Sequence, residues 1–261
     1  MHGAQTWRDQ RERRFHPSRD DARRVLAALR QRLPIVRYHD GDTSLVVTTY
    51  LDTRGGHYYQ LAERSDGRHS LKMRIREYLW TDGASGRYHY ADTCFLERKQ
   101  RDGEVRLKQR VRVAKSEVTK IVLGDVPLRE RGPEADAIRA ELESLRLRPV
   151  MVTAYERLVF GDDAALRITY DERIAFHPPP RGLYNMAPAL TPEVLGAPLA
   201  SGPSRVLEIK QPSAATMPAW LAELVAALPA DPGYSKFRDG MRALRESDGA
   251  PVELTRRLTP L

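Results

Sequence analysis

The stretch from Cys94 to Val113 alternates between charged and apolar residues on both sides of an Asp102-Gly103 pair. An Asp-Gly pair between two alternating runs is a strong signal for a tight β-hairpin. Because successive side chains of a strand point to opposite faces, one face of this hairpin is aliphatic and the other is densely charged. The charged face carries Glu97, Lys99, Arg106, Lys108, Arg110 and Arg112. We expect this face to meet either solvent or an anionic partner.

The same alternation occurs along most of the chain. In Ser70–Tyr78, for example, three cations share one face and aliphatic residues share the other. Alternation and turn signals predict strands at Gln10–His16, Ser44–Asp52, Ser70–Tyr78, the two arms of the hairpin, Val118–Leu123, Val150–Phe160, Ala165–Asp171 and Arg205–Gln211. Helical spacing predicts helices from the Ser18 cap to about Leu33, from Pro133 to about Leu147, and at Pro218–Leu228 and Tyr234–Glu246. These elements predict an α+β fold with a largely antiparallel sheet or barrel of about eight strands.

Lys and Arg outnumber Asp and Glu by 43 to 35 in 261 residues, which gives a formal charge of +8. This excess fits an anionic partner such as a nucleotide, polyphosphate, nucleic acid or a lipid surface. The single cysteine, Cys94, excludes an internal disulfide and a multi-cysteine zinc site, and it predicts a reducing, cytoplasmic setting. No run of about 18 apolar residues occurs, so we expect a soluble chain without a membrane segment.

Domain organisation is predicted from composition along the chain. We expect one folded domain over residues 11–247, between a flexible N-terminus at 1–10 and an irregular tail at 248–261. Residues 177–204 are rich in proline and glycine and have no periodicity. We interpret them as a long loop excursion and not as a domain boundary.

Three strands place a glutamate and a cation two residues apart on one face: Glu12 with Arg14, Glu97 with Lys99, and Glu208 with Lys210. The simplest interpretation of any one strand is a solvated outer face of a half-buried sheet. Neighbouring like charges about 7 Å apart repel by roughly 2 kcal/mol at an effective dielectric near 20, however, and exposed faces usually intersperse both signs. The repeated cationic rows therefore favour a site that converges on a multiply charged anion. If the sheet closes into a barrel, these residues line its interior and the apolar faces pack outside.

Nine segments of the chain resemble, in order, the VTC domain, which is the catalytic domain of the vacuolar transporter chaperone complex. That domain belongs to the triphosphate tunnel metalloenzyme (CYTH-like) superfamily. The matching segments are Glu12–Phe15, Thr49–Asp52, Leu71–Tyr78, Phe95–Lys99, Lys108–Arg110, Tyr155–Arg157, Arg167–Asp171, Leu207–Lys210 and Ser235–Phe237. Each segment is short, but the ordered set is specific. Arg14 stands where a lysine is usual in the family, which keeps the charge and alters its geometry.

The resemblance implies an eight-stranded antiparallel β-barrel with helices packed outside, which binds ATP, triphosphate or polyphosphate along a central tunnel. It implies catalytic phosphate contacts by Arg74, Arg76, Lys99, Arg157, Arg167 and Lys236, and phosphate binding by Arg14, Lys72, Lys108, Arg110, Lys210 and Ser235. It also implies that Glu208 holds a Mn²⁺ or Mg²⁺ ion. Glu12 and Glu97 are further candidate metal ligands, or they serve only as partners of the neighbouring cations.

The implied activity is that of a metal-dependent polyphosphate polymerase, which transfers the γ-phosphate of ATP to a growing chain. A tripolyphosphate or nucleoside triphosphate hydrolase of the same fold stays open, because the nucleophile is not a residue. A non-catalytic module that binds polyphosphate or inositol phosphates also stays open. Nucleic acid is not an expected partner, since aromatic residues make up only 7% of the chain and do not alternate with the basic positions. A membrane partner is left open.

Overall fold

The computed structural model describes residues 10–39, 41–82, 85–103, 105–161 and 165–247. The flexible N-terminus expected at 1–10, apart from Gln10, and the tail expected at 248–261 lie outside the described residues. Within them the strands are β1 (Gln10–Phe15), β2 (Thr43–Asp52), β3 (His69–Thr81), β4 (Tyr88–Tyr90), β5 (Thr93–Asp102), β6 (Val105–Ala114), β7 (Arg148–Gly161), β8 (Arg167–His177), β9 (Ala200–Ser201) and β10 (Arg205–Pro212). The α-helices are α1 (Arg19–Arg32), α2 (His57–Arg64), α3 (Lys115–Leu123), α4 (Pro133–Ser144), α5 (Pro192–Leu195), α6 (Ala219–Val225) and α7 (Lys236–Ser247).

Eight of the strands form one row in the order β1-β10-β8-β7-β2-β3-β5-β6, with every neighbouring pair antiparallel. The two short strands extend this sheet, since β4 pairs with β3 and β9 pairs with β8. No backbone pairing joins β1 to β6 within the described part of the chain. Their side chains nevertheless meet, because Arg106 Nη1 donates to Glu12 Oε2 at 2.5 Å. The sheet is therefore curled until its edges touch, and the predicted α+β fold with eight antiparallel barrel strands is confirmed.

Alternation divides each strand between two surfaces. On β3, Met73 and Ile75 are fully buried on the outer, convex side, whereas Arg74 and Arg76 face the inside of the curl. Helices cover the convex side, because only there do the strands present a continuous apolar surface. One apolar cluster joins α1 and α6 to β1, β7, β8 and β10. A larger one joins α2, α3, α4 and α7 to β2, β3, β5 and β6 and to the other ends of β7, β8 and β10. The polar side of the sheet is thus the interior.

Residues 118–123 correct the prediction of a further strand, because they belong to helix α3. Val118, Ile121 and Val122 are buried on one side of this helix, three and four residues apart. The helix ends at Gly124, whose φ of 82° is the left-handed conformation that favours glycine. The β-branched composition of the segment favours a strand locally, but burial of the helical stripe against the sheet decides its conformation. Helix α2 and strand β4 were not predicted either.

The proline-rich excursion at 177–204 is tied to the barrel by one buried carboxylate. Glu77 on β3 accepts hydrogen bonds from Tyr184 Oη at 3.0 Å and from the backbone N–H of Leu190 at 2.9 Å. Lys115 Nζ lies 2.5 Å from the second oxygen of the same carboxylate. The Glu77 carboxylate thus gives a hydrogen-bond partner to a backbone N–H of the irregular segment where that segment covers the sheet.

Helix α7 packs closely on the barrel and carries its first residues toward the interior. A Cβ atom at Gly240 would lie 2.5 Å from Met151 Sδ and 2.7 Å from Phe176 Cδ1, so glycine permits this approach. Ser235 directly precedes the helix, and its Oγ accepts from the N–H of Arg238 at 3.3 Å. None of the helices in the described ranges has the length and apolarity needed to cross a membrane.

Candidate functional site

The inner face of the curled sheet encloses a channel with two connected halves. The narrow half has a cavity volume of about 150 Å³ and the wide half about 530 Å³. Seven residues line both halves, among them Arg74, Lys99 and Arg157 at the junction. Among the described residues, fifteen basic and three acidic side chains line the two halves together. The channel is therefore strongly cationic along its length.

The structure brings the sequence-predicted site residues to this one channel. The narrow half is lined by Glu12, Arg14, Lys72, Arg74, Arg76, Lys99, Arg157, Glu208, Lys210, Ser235 and Lys236. The wide half adds Lys108, Arg110 and Arg167. Glu97 is fully buried directly behind the cations that it contacts. The functional roles of these residues remain predictions.

Asp171 orients two cations of the channel. It is buried on β8 and accepts from Arg157 Nε at 2.6 Å and Nη2 at 2.8 Å. Lys236 Nζ, at the start of α7, donates to the same carboxylate at 2.7 Å. Although burial favours the neutral acid, Arg157 and Lys236 hold the pKa of Asp171 below its usual value. Two cations from different elements are thus fixed by a single anion.

Glu97 organises a second set of cations on the opposite wall. Arg74 Nε lies 2.6 Å from it, Arg110 donates to it at 2.5 Å, and Lys108 Nζ lies 3.3 Å away. Burial alone would raise the pKa of Glu97, but Arg74 and Lys108 hold it well below its usual value. Lys99, the neighbour that shares its strand face, interacts with the charge of Glu208 on β10. The partners of Glu97 come from adjacent strands instead.

Arg14 links two further carboxylates of the channel, Glu12 and Glu208. Its guanidinium contacts Glu12, and its Nε lies 3.1 Å from Glu208 Oε2. Lys210 Nζ holds the other oxygen of Glu208 at 2.6 Å. Despite burial, Lys210 and Arg14 keep the pKa of Glu208 well below its usual value. Both carboxylates are therefore already in contact with cations of the channel.

Several lysines of the channel lose basicity because they are buried among other cations. Burial and the charges of Arg14 and Arg74 lower the pKa of Lys72 to about 7. Burial, followed by Lys210, lowers the pKa of Lys99 well below its usual range. The pKa of Lys108 falls to about 8 through burial, with Arg110 opposing the favourable effect of Glu97. An anion in the channel would relieve this repulsion and favour the charged lysines.

Ser235, which the resemblance assigns to phosphate binding, lies at the start of helix α7. It caps helix α7, and its Oγ also accepts from Lys72 Nζ at 2.9 Å. Its hydroxyl therefore lies within the cationic lining as well as at the end of the helix.

Several lining residues were not predicted from the sequence. They are Tyr38, Tyr78, Arg101, Tyr155, Tyr234 and Arg238, together with Asp171 behind Arg157 and Lys236. Asp171 and Tyr155 share a strand face with Arg167 and Arg157 respectively, so alternation carried a signal for them. Arg106, predicted only to lie on the charged hairpin face, is at the junction of the two halves. Arg112 of the same face stays exposed.

The donor set decides what kind of metal site fits the channel. No group of three or more His, Cys, Asp or Glu side chains suited to a metal occurs among the described residues. A cation held by protein ligands alone therefore does not fit. Mg²⁺ and Mn²⁺ commonly bind through one or two carboxylates plus substrate phosphates and water. Glu208, with Glu12 bridged to it by Arg14, fits such a shared site.

Solved structures with a similar arrangement share little sequence with this chain. A protein of Pyrococcus horikoshii is 12% identical with a TM-score of 0.45, over 90% of this chain and 98% of that one. A protein of Bacillus halodurans is 16% identical with a TM-score of 0.44, over 80% and 82%. The Mimivirus capping enzyme triphosphatase is 12% identical with a TM-score of 0.37, over 84% and 87%.

No curated protein matches this chain. The sequence model of the VTC domain matches residues 9–245, which covers all eight strands of the barrel. The nine ordered segments from Glu12 to Phe237 lie within this match. The chain belongs to the VTC domain family.

Proposed function

We propose that this chain is a metal-dependent phosphotransferase that moves the γ-phosphoryl group of ATP onto a polyphosphate chain inside the channel and releases ADP. The observation that carries the proposal is the excess of fifteen basic over three acidic side chains among the described residues that line an elongated channel. A linear polyanion is the ligand whose shape and charge match such a lining. Residues 11–247 act as one tunnel domain in this proposal.

The residues of the channel supply positioning and charge stabilisation, which is most of what phosphoryl transfer requires. Arg74, Arg76 and Arg157 present guanidinium groups that bind phosphate oxygens in a fork. Lys99, Arg167 and Lys236 add charge around the transferred group. Buried carboxylates such as Asp171 hold these cations in place before the substrate arrives.

The attacking group in this proposal is a terminal phosphate oxygen of the polyphosphate chain. It forms a bond to the γ-phosphorus of ATP while the bond from that phosphorus to the bridging oxygen of ADP breaks. Arg14, Lys72, Lys108, Arg110, Lys210 and Ser235 bind the remaining phosphates of donor and acceptor. A Mg²⁺ or Mn²⁺ ion, when bound through Glu208 and phosphate oxygens, neutralises charge between neighbouring phosphates.

Two other functions use the same channel and are separated by experiment. In a tripolyphosphatase or nucleoside triphosphatase, water takes the place of the chain end. In a non-catalytic module for polyphosphate or inositol phosphates, the anion binds without turnover. The family match favours an enzyme of the triphosphate tunnel type over a binding module. The sequence predicts a cytoplasmic setting and leaves a membrane partner open.

Incubation with ATP and either Mn²⁺ or Mg²⁺ tests the proposal directly. A ladder of polyphosphate on a gel, with one ADP formed per phosphate added, is the expected result. Free phosphate without a ladder would contradict polymerase activity and favour the hydrolase. Tight binding of tripolyphosphate without any ADP or phosphate would favour the non-catalytic module.

A matched pair of variants distinguishes the loss of a cation in the channel from the loss of one positive charge elsewhere on the protein. Arg74→Gln removes a channel cation, whereas Arg23→Gln removes an equal charge from the exposed face of α1. We expect turnover to fall at least tenfold in the first variant and to stay unchanged in the second. Glu208→Gln is expected to lose turnover while it still binds tripolyphosphate in the absence of metal.

A further inference from the structure

The inner face of β3 changes its chemistry along the strand. Lys72 lines the narrow half, Arg74 and Arg76 line both halves, and Tyr78 lines the wide half. Trp80 follows Tyr78 two residues later on the same face of the strand. Residues two apart on a strand are separated by about 6.6 Å, so the aromatic rings continue roughly 7 to 13 Å beyond Arg76. A nucleoside triphosphate has the same polarity, with anionic phosphates at one end and an aromatic base at the other.

Further aromatic side chains gather at the same end of the channel. Tyr38 stacks on Tyr78 with ring centroids 5.2 Å apart and planes inclined by 25°. His39 stacks on Trp80 at 3.8 Å and 17°. Phe95 meets Tyr78 edge-on at 6.1 Å. We call this group, Tyr38, His39, Tyr78, Trp80 and Phe95, the aromatic mouth.

The backbone holds one side of the aromatic mouth in place. Tyr38 and Gly41 exchange backbone hydrogen bonds of 2.8 and 3.0 Å. The N–H of Val36 donates to the carbonyl of Val159 on β7 at 2.8 Å, which ties this segment to the barrel wall. Tyr38 is only partly buried, and it lines the wide half. The ring is therefore both fixed and accessible to a ligand, which lowers the entropic cost of stacking on it.

Arg110 connects the aromatic mouth to the cationic part of the channel. It donates to Tyr78 Oη at 3.1 Å, and its guanidinium lies 4.2 Å from the centroid of the Phe95 ring. The same side chain is held by Glu97. A phosphate bound at Arg110 would thus lie next to the aromatic rings, which is the order that a nucleotide requires.

We propose that the aromatic mouth binds the base of a nucleoside triphosphate by stacking, while the cations beyond it hold the phosphates. This inference rests on the proposed function, since it requires the triphosphate to enter the channel. Stacking discriminates poorly among bases because every base has a π face. ATP and UTP are therefore both expected to use the site.

Calorimetric titration of Tyr38 variants with ATP and with tripolyphosphate tests the inference. Tyr38→Ala should weaken ATP binding about tenfold and leave tripolyphosphate binding within about twofold, because only ATP carries a base. Tyr38→Phe keeps the ring and should bind both ligands as the wild type does. Equal losses for the two ligands in Tyr38→Ala, or no loss for ATP, would overturn the stacking site.

Trp80 provides a second readout that does not depend on Tyr38 variants. In a Trp7→Phe, Trp220→Phe background it is the single tryptophan of the chain. ATP should quench its fluorescence and tripolyphosphate should not. Equal quenching by both ligands would overturn the inference, because the signal would then arise from the phosphates in the channel and not from a stacked base. Failure of the wild type to bind tripolyphosphate would instead contradict the proposed function itself.

Discussion

Asp171 and Arg157 form a two-pronged ion pair across neighbouring strands, with Nε–Oδ1 and Nη2–Oδ2 distances of 2.6 and 2.8 Å. The pair lies in the wall of the channel, where Lys236 shares the same carboxylate. A bidentate contact fixes the plane of the guanidinium, so that its remaining N–H groups can point only in a limited set of directions. The orientation of Arg157 is therefore decided before any anion enters.

Asp171→Asn should impair both folding and turnover. The buried cations Arg157 and Lys236 lose their shared anion, so we expect the free energy of unfolding to fall by about 3 kcal/mol. Turnover should fall about a hundredfold, because the phosphate-binding groups are no longer held in position. Urea unfolding and ADP release measure the two effects.

The control for this change is an exposed ion pair. Asp20→Asn removes the partner of Arg23 on α1, where the carboxylate is 90% exposed. Stability and turnover should both be unchanged, because solvent screens such a pair. An Asp171→Asn protein with wild-type turnover would contradict the orienting role.

Binding of tripolyphosphate should weaken relative to a charge-fixed variant as the pH rises from 7 to 9. The pKa values of Lys72 and Lys108 are lowered to about 7 and about 8, so both amines lose their proton over this range. A neutral amine attracts the anion less. Lys72→Arg keeps its charge at all these pH values, so its affinity should fall less steeply than that of the wild type.

Titration calorimetry at constant ionic strength measures this difference. The comparison between the two proteins cancels the ionisation of tripolyphosphate itself, which both share. Parallel pH profiles would mean that Lys72 does not titrate in this range.

Chelation of divalent ions should abolish turnover without loosening the fold. The described residues offer no three-ligand metal cluster, so the metal is expected to arrive with the nucleotide. The melting temperature of the ligand-free protein should not change on addition of EDTA, whereas ADP formation should stop and then resume when Mn²⁺ or Mg²⁺ is restored. A drop in melting temperature on chelation would point to a metal that the protein holds by itself.

Gly240→Ala should destabilise the fold by about 1 to 2 kcal/mol, even though alanine is the better helix former. The added Cβ would lie 2.7 Å from Phe176 Cδ1 and 2.5 Å from Met151 Sδ, so α7 must shift away from the barrel. Because α7 carries Lys236, turnover should fall as well. Gly55→Ala is the control, since a Cβ there has no neighbour within 4 Å. Equal unfolding midpoints for the two variants would contradict the close approach.

Much of the barrel could be predicted because a strand has a period of two. Alternation alone assigns Lys72, Arg74 and Arg76 to one surface, and it does so without knowledge of the other strands. Helix α3 was not predictable in the same way. Its β-branched residues favour a strand, and the segment is helical because its apolar side packs against the folded sheet.

Contacts between distant parts of the chain could not be predicted from local patterns. The meeting of Glu12 and Arg106 depends on how far the whole sheet curls, a quantity that no single segment determines. Tyr38 reaches the channel because its segment is bonded to β7, more than a hundred residues later in the chain. The charged residues of the site, with the inward face of Asp171, were thus predictable from alternation, whereas the aromatic end and the pairing of Asp171 with Lys236 were not.

The division of each strand between an inner and an outer surface has a consequence for how this protein can change. A substitution at an inward position alters the ligand that the channel accepts, while the adjacent outward residue goes on packing against the helices. Inward residues therefore determine which ligand binds, and the outward residues that alternate with them determine stability, so the two properties can vary separately. The exceptions are the buried carboxylates such as Glu97 and Asp171, where a change in ligand chemistry is also a change in stability.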